Sequence, residues 1–152
     1  MTDALDSLVV RLALLAAALL AAVVVGWWLR RRDGHDRSVD SGDVLTPADL
    51  GGAALGARAT LLQVSSAFCA PCRQTRSVLE RLAAATEGVA HVEVDAADHL
   101  DLVRRLDVRR TPTVLVLDGA GRVVRRASGA PTPAQAASAL AAAVPELEAS
   151  RG

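Results

Sequence analysis

The chain has 152 residues, 17 of them basic and 17 acidic, so its formal net charge is zero. That balance excludes an electrostatic nucleic-acid binder, and two Trp and one Phe are too few for base stacking. Every basic residue is arginine and alanine is abundant, a compositional bias; two cysteines do not make a disulfide scaffold.

Leu12 to Leu29 carries no charge and is rich in Leu, Ala and Val. As a helix, 18 residues span about 27 Å, close to a bilayer core. Trp27 and Trp28 end the run and Arg30, Arg31 and Arg32 follow it. Asp3 and Asp6 at the start, with Trp and Arg where a cleavage site would sit, argue against a signal peptide. The expectation is one uncleaved N-terminal transmembrane helix within residues 1–32. The Arg-rich flank favours the cytoplasmic face for the rest of the chain, where thiols are kept reduced; both orientations stay open. Residues 33–44 are polar and aperiodic and read as a flexible linker, with His35 a solvated residue of it.

Residues 45–152 read as one α/β domain. Thr46 and Pro47 mark a helix start. Ala59 to Ser65 reads as a buried strand. The helix after it, Arg73 to Ala85, turns Val78, Leu79 and Leu82 to one face. Val89 to Asp95 is a second strand, and Asp98 to Leu106 a short helix. Val114 to Leu117 is a third strand, joined by the tight turn Asp118 to Gly121 to an antiparallel strand, Arg122 to Ala127, whose charges suit a sheet edge. Thr132 caps a last helix that runs to Ala143, with Pro133 at its first position.

Phe68-Cys69-Ala70-Pro71-Cys72 lies at the first strand-to-helix junction and holds both cysteines. The first turn of a helix has unpaired N–H groups and the positive end of the dipole. A thiolate there is stabilised, so the Cys69 pKa should fall. Cys72 is one turn on, close enough to close a small disulfide ring. The reading is Cys69 as the attacking, partly exposed thiolate and Cys72 as the buried resolving thiol. Pro71 suits the first turn because it has no N–H to satisfy. A zinc site is disfavoured: there is no second Cys pair, and His35, His91 and His99 lack the usual spacing. A purely structural bridge is disfavoured because so small a ring constrains little of the unfolded chain.

From about Leu45 to Val144 the sequence resembles the thioredoxin family. The resemblance rests on Phe68-Cys69-Ala70-Pro71-Cys72, on Thr111-Pro112-Thr113 before a buried strand, and on Gly129 after the last strand, in that order and spacing. It implies a thioredoxin-like fold, a central mixed sheet flanked by helices. It further implies a cis Thr111–Pro112 bond beside the cysteines, with Thr111 and Gly129 at the substrate-binding surface and the Thr111 backbone pairing with substrate as an added strand. The chain departs from the family at Phe68, where Trp is usual, and at Ala70, where Gly is usual. The family's buried Asp and Lys near the second cysteine correspond to Gln63 and His91. Gln63 cannot act as a base. His91 either accepts the Cys72 proton or is a hydrogen-bonded core histidine.

The expected function is membrane-anchored thiol–disulfide oxidoreductase chemistry, reducing protein disulfides. The expected partners are a disulfide-containing protein substrate and a thiol–disulfide electron donor, with the membrane held by the N-terminal helix and no nucleic acid. The redox centre is the Cys69–Cys72 pair itself, with no metal and no organic cofactor. Two alternatives stand beside it: a binding or assembly module whose dithiol holds a metal or client, and a protein-oxidising variant outside the cytoplasm.

Overall fold

The computed structural model describes residues 2–32, 36–38 and 42–144, except the side chains of 2–10, 13, 29–32 and 36–38. Residues 33–35 (His35 among them) and 39–41 of the expected linker, and the last eight residues, lie outside that description. The chain divides into two compact units, Met1–Arg32 and Asp33–Gly152.

The first unit is one helix, α1 (Thr2–Arg32), filled with Leu and Ala, which favour helix. Leu14, Leu15, Leu19, Leu20, Val23 and Trp27 are all more than half exposed. Their spacing carries them around several turns, so between residues 14 and 27 the described side chains form no polar face. Among the described residues no helix is long and apolar enough to cross a membrane. The stretch expected to span, Leu12 to Leu29, includes Ala13 and Leu29, whose side chains are outside the description.

The second unit is built on a five-stranded mixed sheet. Its interior strand β2 (Ala59–Ser65) is buried at every position, the pattern of a strand covered on both faces. The helix α2 (Ala70–Ala84) crosses from it to a parallel neighbour, β3 (Val89–Asp95), which pairs with β2 from Ala59 opposite Val89 to Ser65 opposite Asp95. On the other side β4 (Thr113–Asp118) runs antiparallel to β2, and β5 (Val123–Ser128) antiparallel to β4. The short helix α3 (Leu100–Arg105) lies between β3 and β4 in the chain, and α4 (Pro133–Ala143) ends the described fold.

Strand alternation divides the apolar residues into two layers. Leu62, Val64, Val92 and Val94 pack with Leu45, Leu50, Leu102 and Leu106 on one face. Leu61 and Val114 pack with Val78 and Leu79 of α2 and with Ala136 and Leu140 of α4 on the other. Gln63 and Ser65 of β2, with His91 and Glu93 of β3, therefore belong to the α2 face. Thr132 caps α4 in a reciprocal box with Gln135, as its position predicts. In the Asp118 to Gly121 turn, Asp118 accepts hydrogen bonds from the Ala120 and Arg122 N–H groups. Gly121 has φ +81°, and a Cβ there would run into the Leu45 carbonyl, so only glycine fits.

Three details differ from the sequence reading. The strand β5 is not at the edge. Asp36–Ser38 forms β1, antiparallel to β5, with Asp36 opposite Ala127 and Ser38 opposite Arg125. Val44 also bridges to Arg122. The stretch read as a tether thus covers the open hydrogen-bonding groups of β5, and three residues are too few to show a period of two. Second, Pro47–Leu50 is a single 3-10 turn, stopped by Gly51 at φ +64°. Third, α2 starts at Ala70, three residues before the helical pattern that begins at Arg73, and Pro71 lies in its first turn as expected.

Candidate active site

Burial of Val64 and Ser65 brings the chain to the sheet's end, and the turn Ser66-Ala67-Phe68 stands in solvent. The Cys69 N–H closes that turn on the Ser66 carbonyl at 3.2 Å. Cys69 is extended (φ −99°, ψ 99°) and is the N-cap of α2; its Sγ accepts the Cys72 N–H at 3.2 Å. Sulfur thus takes the place an Asp or Ser oxygen fills at ordinary helix starts. The two cysteines are joined as a disulfide, with Cα atoms 5.2 Å apart. Cys69 is half-buried and Cys72 only 2% exposed. Ala70 and Pro71 are exposed between them, and Phe68 has no cover at all.

The Thr111–Pro112 bond is cis. Pro112 is buried, and its carbonyl accepts the N–H of buried Gly129 at 2.8 Å. The β2–β4 register, Val64 opposite Thr113, sets Thr111 across from Ser66, and their hydroxyls share a hydrogen bond of 3.0 Å. That bond ties the proline loop to the turn preceding Cys69. Arg109 pairs with Asp107, and Arg110 reaches the Ser128 carbonyl at 3.4 Å. His99 sits apart, with Nδ1 3.1 Å from the Asp95 carbonyl oxygen.

Beneath the cysteines lies a polar network. Gln63, with no exposure, points its Nε2 at the Cys72 carbonyl (2.9 Å), Ser65 Oγ (2.7 Å) and Glu93 Oε1 (3.2 Å). Three acceptors around one atom set the amide's orientation, since the flipped form would turn oxygen toward oxygen. Gln63 Oε1 is buried without a partner. Glu93 is ion-paired to Arg76 of α2. Burial opposes ionisation of Glu93, but hydrogen bonds from Arg76 and Ser65 and the charges of Arg76 and His91 prevail and hold its pKa below the usual carboxylate value. A cavity of about 450 Å³ joins Ser65, Cys69, Cys72, Arg73, Arg76, Glu93 and Asp95.

His91 does not line that cavity among the described residues. It sits on β3 opposite Leu61, with a buried Nε2 that has no partner. Its pKa is lowered, by burial first and also by the Arg76 charge, against the pull of Glu80 and Glu93, so the ring is neutral at pH 7. The structure brings Cys69, Cys72, Thr111 and Pro112 together and leaves His91 out. It adds Glu93, which the sequence reading passed over. A signal was present: Val92 and Val94 alternate with His91 and Glu93, so Glu93 is turned toward a helix, and a glutamate on a helix-covered strand face needs a partner.

Among the described residues no group of three or more His, Cys, Asp or Glu is arranged to hold a metal ion. A protein-family model described as Thioredoxin matches residues 53–142. No curated protein matches the chain by sequence. Among solved structures, thioredoxin f from spinach chloroplast (long form) is 26% identical, with a TM-score of 0.52, over 58% of this chain and 72% of that one. Fasciola hepatica thioredoxin is 23% identical, TM-score 0.51, over 57% of this chain and 82% of that one. A mutant thioredoxin from Halobacterium salinarum is 21% identical, TM-score 0.52, over 57% of this chain and 75% of that one.

Proposed function

Because the chain belongs to the thioredoxin family, we propose that it is a thiol–disulfide oxidoreductase that reduces protein disulfides through Cys69 and Cys72 and is anchored to a membrane by α1. The observation that carries this reading is the asymmetry of the two sulfurs. Cys69 is only half-buried and its Sγ takes a backbone N–H at the start of α2, while Cys72 is buried one turn on. In the reduced pair the same N–H and the helix dipole favour a Cys69 thiolate.

The thiolate attacks a substrate disulfide, forming a mixed disulfide and expelling one substrate thiolate. Cys72 then attacks Cys69 Sγ, the bond from Cys69 to substrate breaks, and the second substrate thiolate leaves. Two electrons pass from the cysteine pair to the substrate. A protein dithiol of lower potential must restore the pair. Exposed Phe68, Ala70 and Pro71 form an apolar rim for the substrate chain, and Thr111 stands beside it.

The anchor is supported by the exposed apolar side chains of α1, which water solvates poorly. The arginines after Leu29 favour the cytoplasmic face.

The test is turnover by the full chain in detergent, with a disulfide-closed peptide as substrate and dithiothreitol as donor. Wild type turns over, Cys69→Ser does not, and Cys72→Ser accumulates the mixed disulfide. Full function without either sulfur would instead identify a binding module. A potential for the pair near about −270 mV fits a reductant, whereas one near about −120 mV makes it an oxidant, which makes sense only outside the cytoplasm. Flotation of the full chain with phospholipid vesicles tests the anchor.

A further inference from the structure

We infer that Glu93 is the group that receives the Cys72 proton during resolution of the mixed disulfide, with Gln63 holding carboxylate and cysteine in register and Arg76 controlling the carboxylate's basicity. This rests on the oxidoreductase reading above and names the proton path of that same site.

Cys72 is buried and must lose a proton before its sulfur can attack. The acceptor has to be ionised, near, and connected by a polar route. Glu93 meets each requirement. Gln63 Nε2 reaches the Cys72 carbonyl at 2.9 Å and Glu93 Oε1 at 3.2 Å, so one amide spans the two residues. Cys72 and Glu93 line the same cavity of about 450 Å³, roomy and polar enough for water to join them. The neighbouring candidates fail on geometry. His91 does not line the cavity. Asp95 does, with its Oδ1 taking the Ala97 N–H at 2.8 Å, but it has no counterpart of the Gln63 amide that links Glu93 to Cys72. The charged or titratable groups around Glu93 are Arg76, its ion-pair partner, and Arg73 from α2, Asp95 on the same cavity, and His91 from its own strand. The facing side chains of β2, Gln63 and Ser65, carry no charge. Arg76 keeps the carboxylate ionised, and loosening this half-exposed partner makes it a stronger base.

In the resolving step the S–H bond of Cys72 breaks and its proton passes through water to Glu93. The Cys72 sulfur electron pair forms the bond to Cys69 Sγ. The bond between Cys69 Sγ and substrate sulfur breaks, and its electrons leave on the substrate thiolate, which is protonated from solvent. Glu93 later returns its proton to solvent. Because Glu93 acts through water and Gln63, it is a positioning residue in the strict sense.

The experiment uses the full chain in detergent and a single-turnover assay that separates formation of the mixed disulfide from its resolution, between pH 4 and 9. In wild type, resolution is flat across neutral pH, because Glu93 is already ionised there. In Glu93→Gln, formation is unchanged, resolution at pH 7 falls about 100-fold, and the residual rate climbs about tenfold per pH unit as the ionised fraction of the thiol grows. Glu93→Asp recovers part of the loss. In Arg76→Gln the carboxylate loses its cation, so the acid limb of the profile moves to higher pH. Asp95→Asn leaves the profile as it was.

A uniform loss at every pH in Glu93→Gln would mean a structural role and overturn the inference, as would an effect in Asp95→Asn in its place. Should Glu93→Gln not fold, an unmoved acid limb in Arg76→Gln overturns it equally. If wild type forms no mixed disulfide at all, the oxidoreductase reading itself falls and takes this inference with it.

Discussion

Replacing Gln63 by glutamate keeps the side chain's shape and removes its two hydrogens. In the native protein those two hydrogens are shared among three acceptors, the Cys72 carbonyl, Ser65 Oγ and Glu93, at 2.9, 2.7 and 3.2 Å, so they amount to about two full bonds, and Gln63 has no solvent exposure. A hydrogen bond to a charged group contributes about 1.5–3 kcal/mol and a neutral one about 1 kcal/mol. Losing both costs about 3 kcal/mol when the new carboxyl is ionised, before counting its repulsion with Glu93. Burial and that repulsion both raise the new group's pKa in the folded state above its unfolded value of about 4.3. When protonated, the carboxyl donates one bond and recovers about 1–2 kcal/mol of the loss. A raised folded pKa means stability that is fully present below the unfolded value and lost as pH rises through the folded one. The difference between Gln63→Glu and wild type should therefore be about 1–2 kcal/mol at pH 4 and widen beyond about 3 kcal/mol by pH 8. Urea unfolding of the oxidised full chain, followed by far-ultraviolet circular dichroism, measures it as a shift in midpoint at constant slope. A difference that is the same at both pH values, or smaller at pH 8, would refute the network as drawn.

His91→Leu should remove a pH dependence. The folded pKa of His91 is lowered, mainly by burial, so its contribution is full above the unfolded value of about 6.5 and is lost as pH falls from there through the folded value; the variant's unfolding midpoint should vary less between pH 7 and 5 than wild type's, and its turnover should keep the wild-type pH profile. Phe68→Ala should change stability by less than about 0.5 kcal/mol, because the ring has no cover. It should raise KM for a protein disulfide and leave that for a small disulfide unchanged, and equal effects on both would remove Phe68 from the docking rim. Asp49→Asn should cost about 1 kcal/mol at pH 7. The Asp49 carboxylate accepts the Thr46 N–H and hydroxyl and pairs with Arg105, which holds its pKa at about 2. That contribution is complete above about pH 4 and is lost as pH falls through about 2, so wild type and variant midpoints should converge there.

Much of the second unit is legible from local pattern. The strands β2 and β3 have the bounds their apolar runs imply, and Thr132-Pro133 starts α4 because cap and first-turn residue coincide. The Asp118 to Gly121 turn is legible for the same reason: one position tolerates only glycine. What escaped was either short or cooperative. The strand β1 is three residues whose conformation comes from the open edge of β5, which no local pattern in Asp36–Ser38 encodes. The acid beneath the cysteines escaped differently. The resemblance directs attention to positions 63 and 91, whereas the physical requirement is for an ionised group within reach of Cys72, and a neighbouring strand can meet it.

The β2–β3 register explains why Gln63 and Glu93 form a consistent pair. Gln63 and Glu93 are direct partners across the parallel strands, and their side chains meet at 3.2 Å on the face covered by α2. Two carboxylates at that separation could not both ionise, so an acid on β3 favours a neutral residue opposite it. An amide is the neutral residue of matching shape that also donates: one hydrogen bond steadies the acid and another holds the Cys72 carbonyl in the first turn of α2. Arg76, reaching over from that same helix, then compensates the single remaining charge. Exchanging the residues at 63 and 93 should accordingly be tolerated better than either single change, because the exchange keeps one acid and one donor in contact. A double-mutant cycle over Gln63→Glu and Glu93→Gln measures this as a coupling of about 1–3 kcal/mol. Simple additivity of the two would mean that the side chains do not act on Cys72 as a unit.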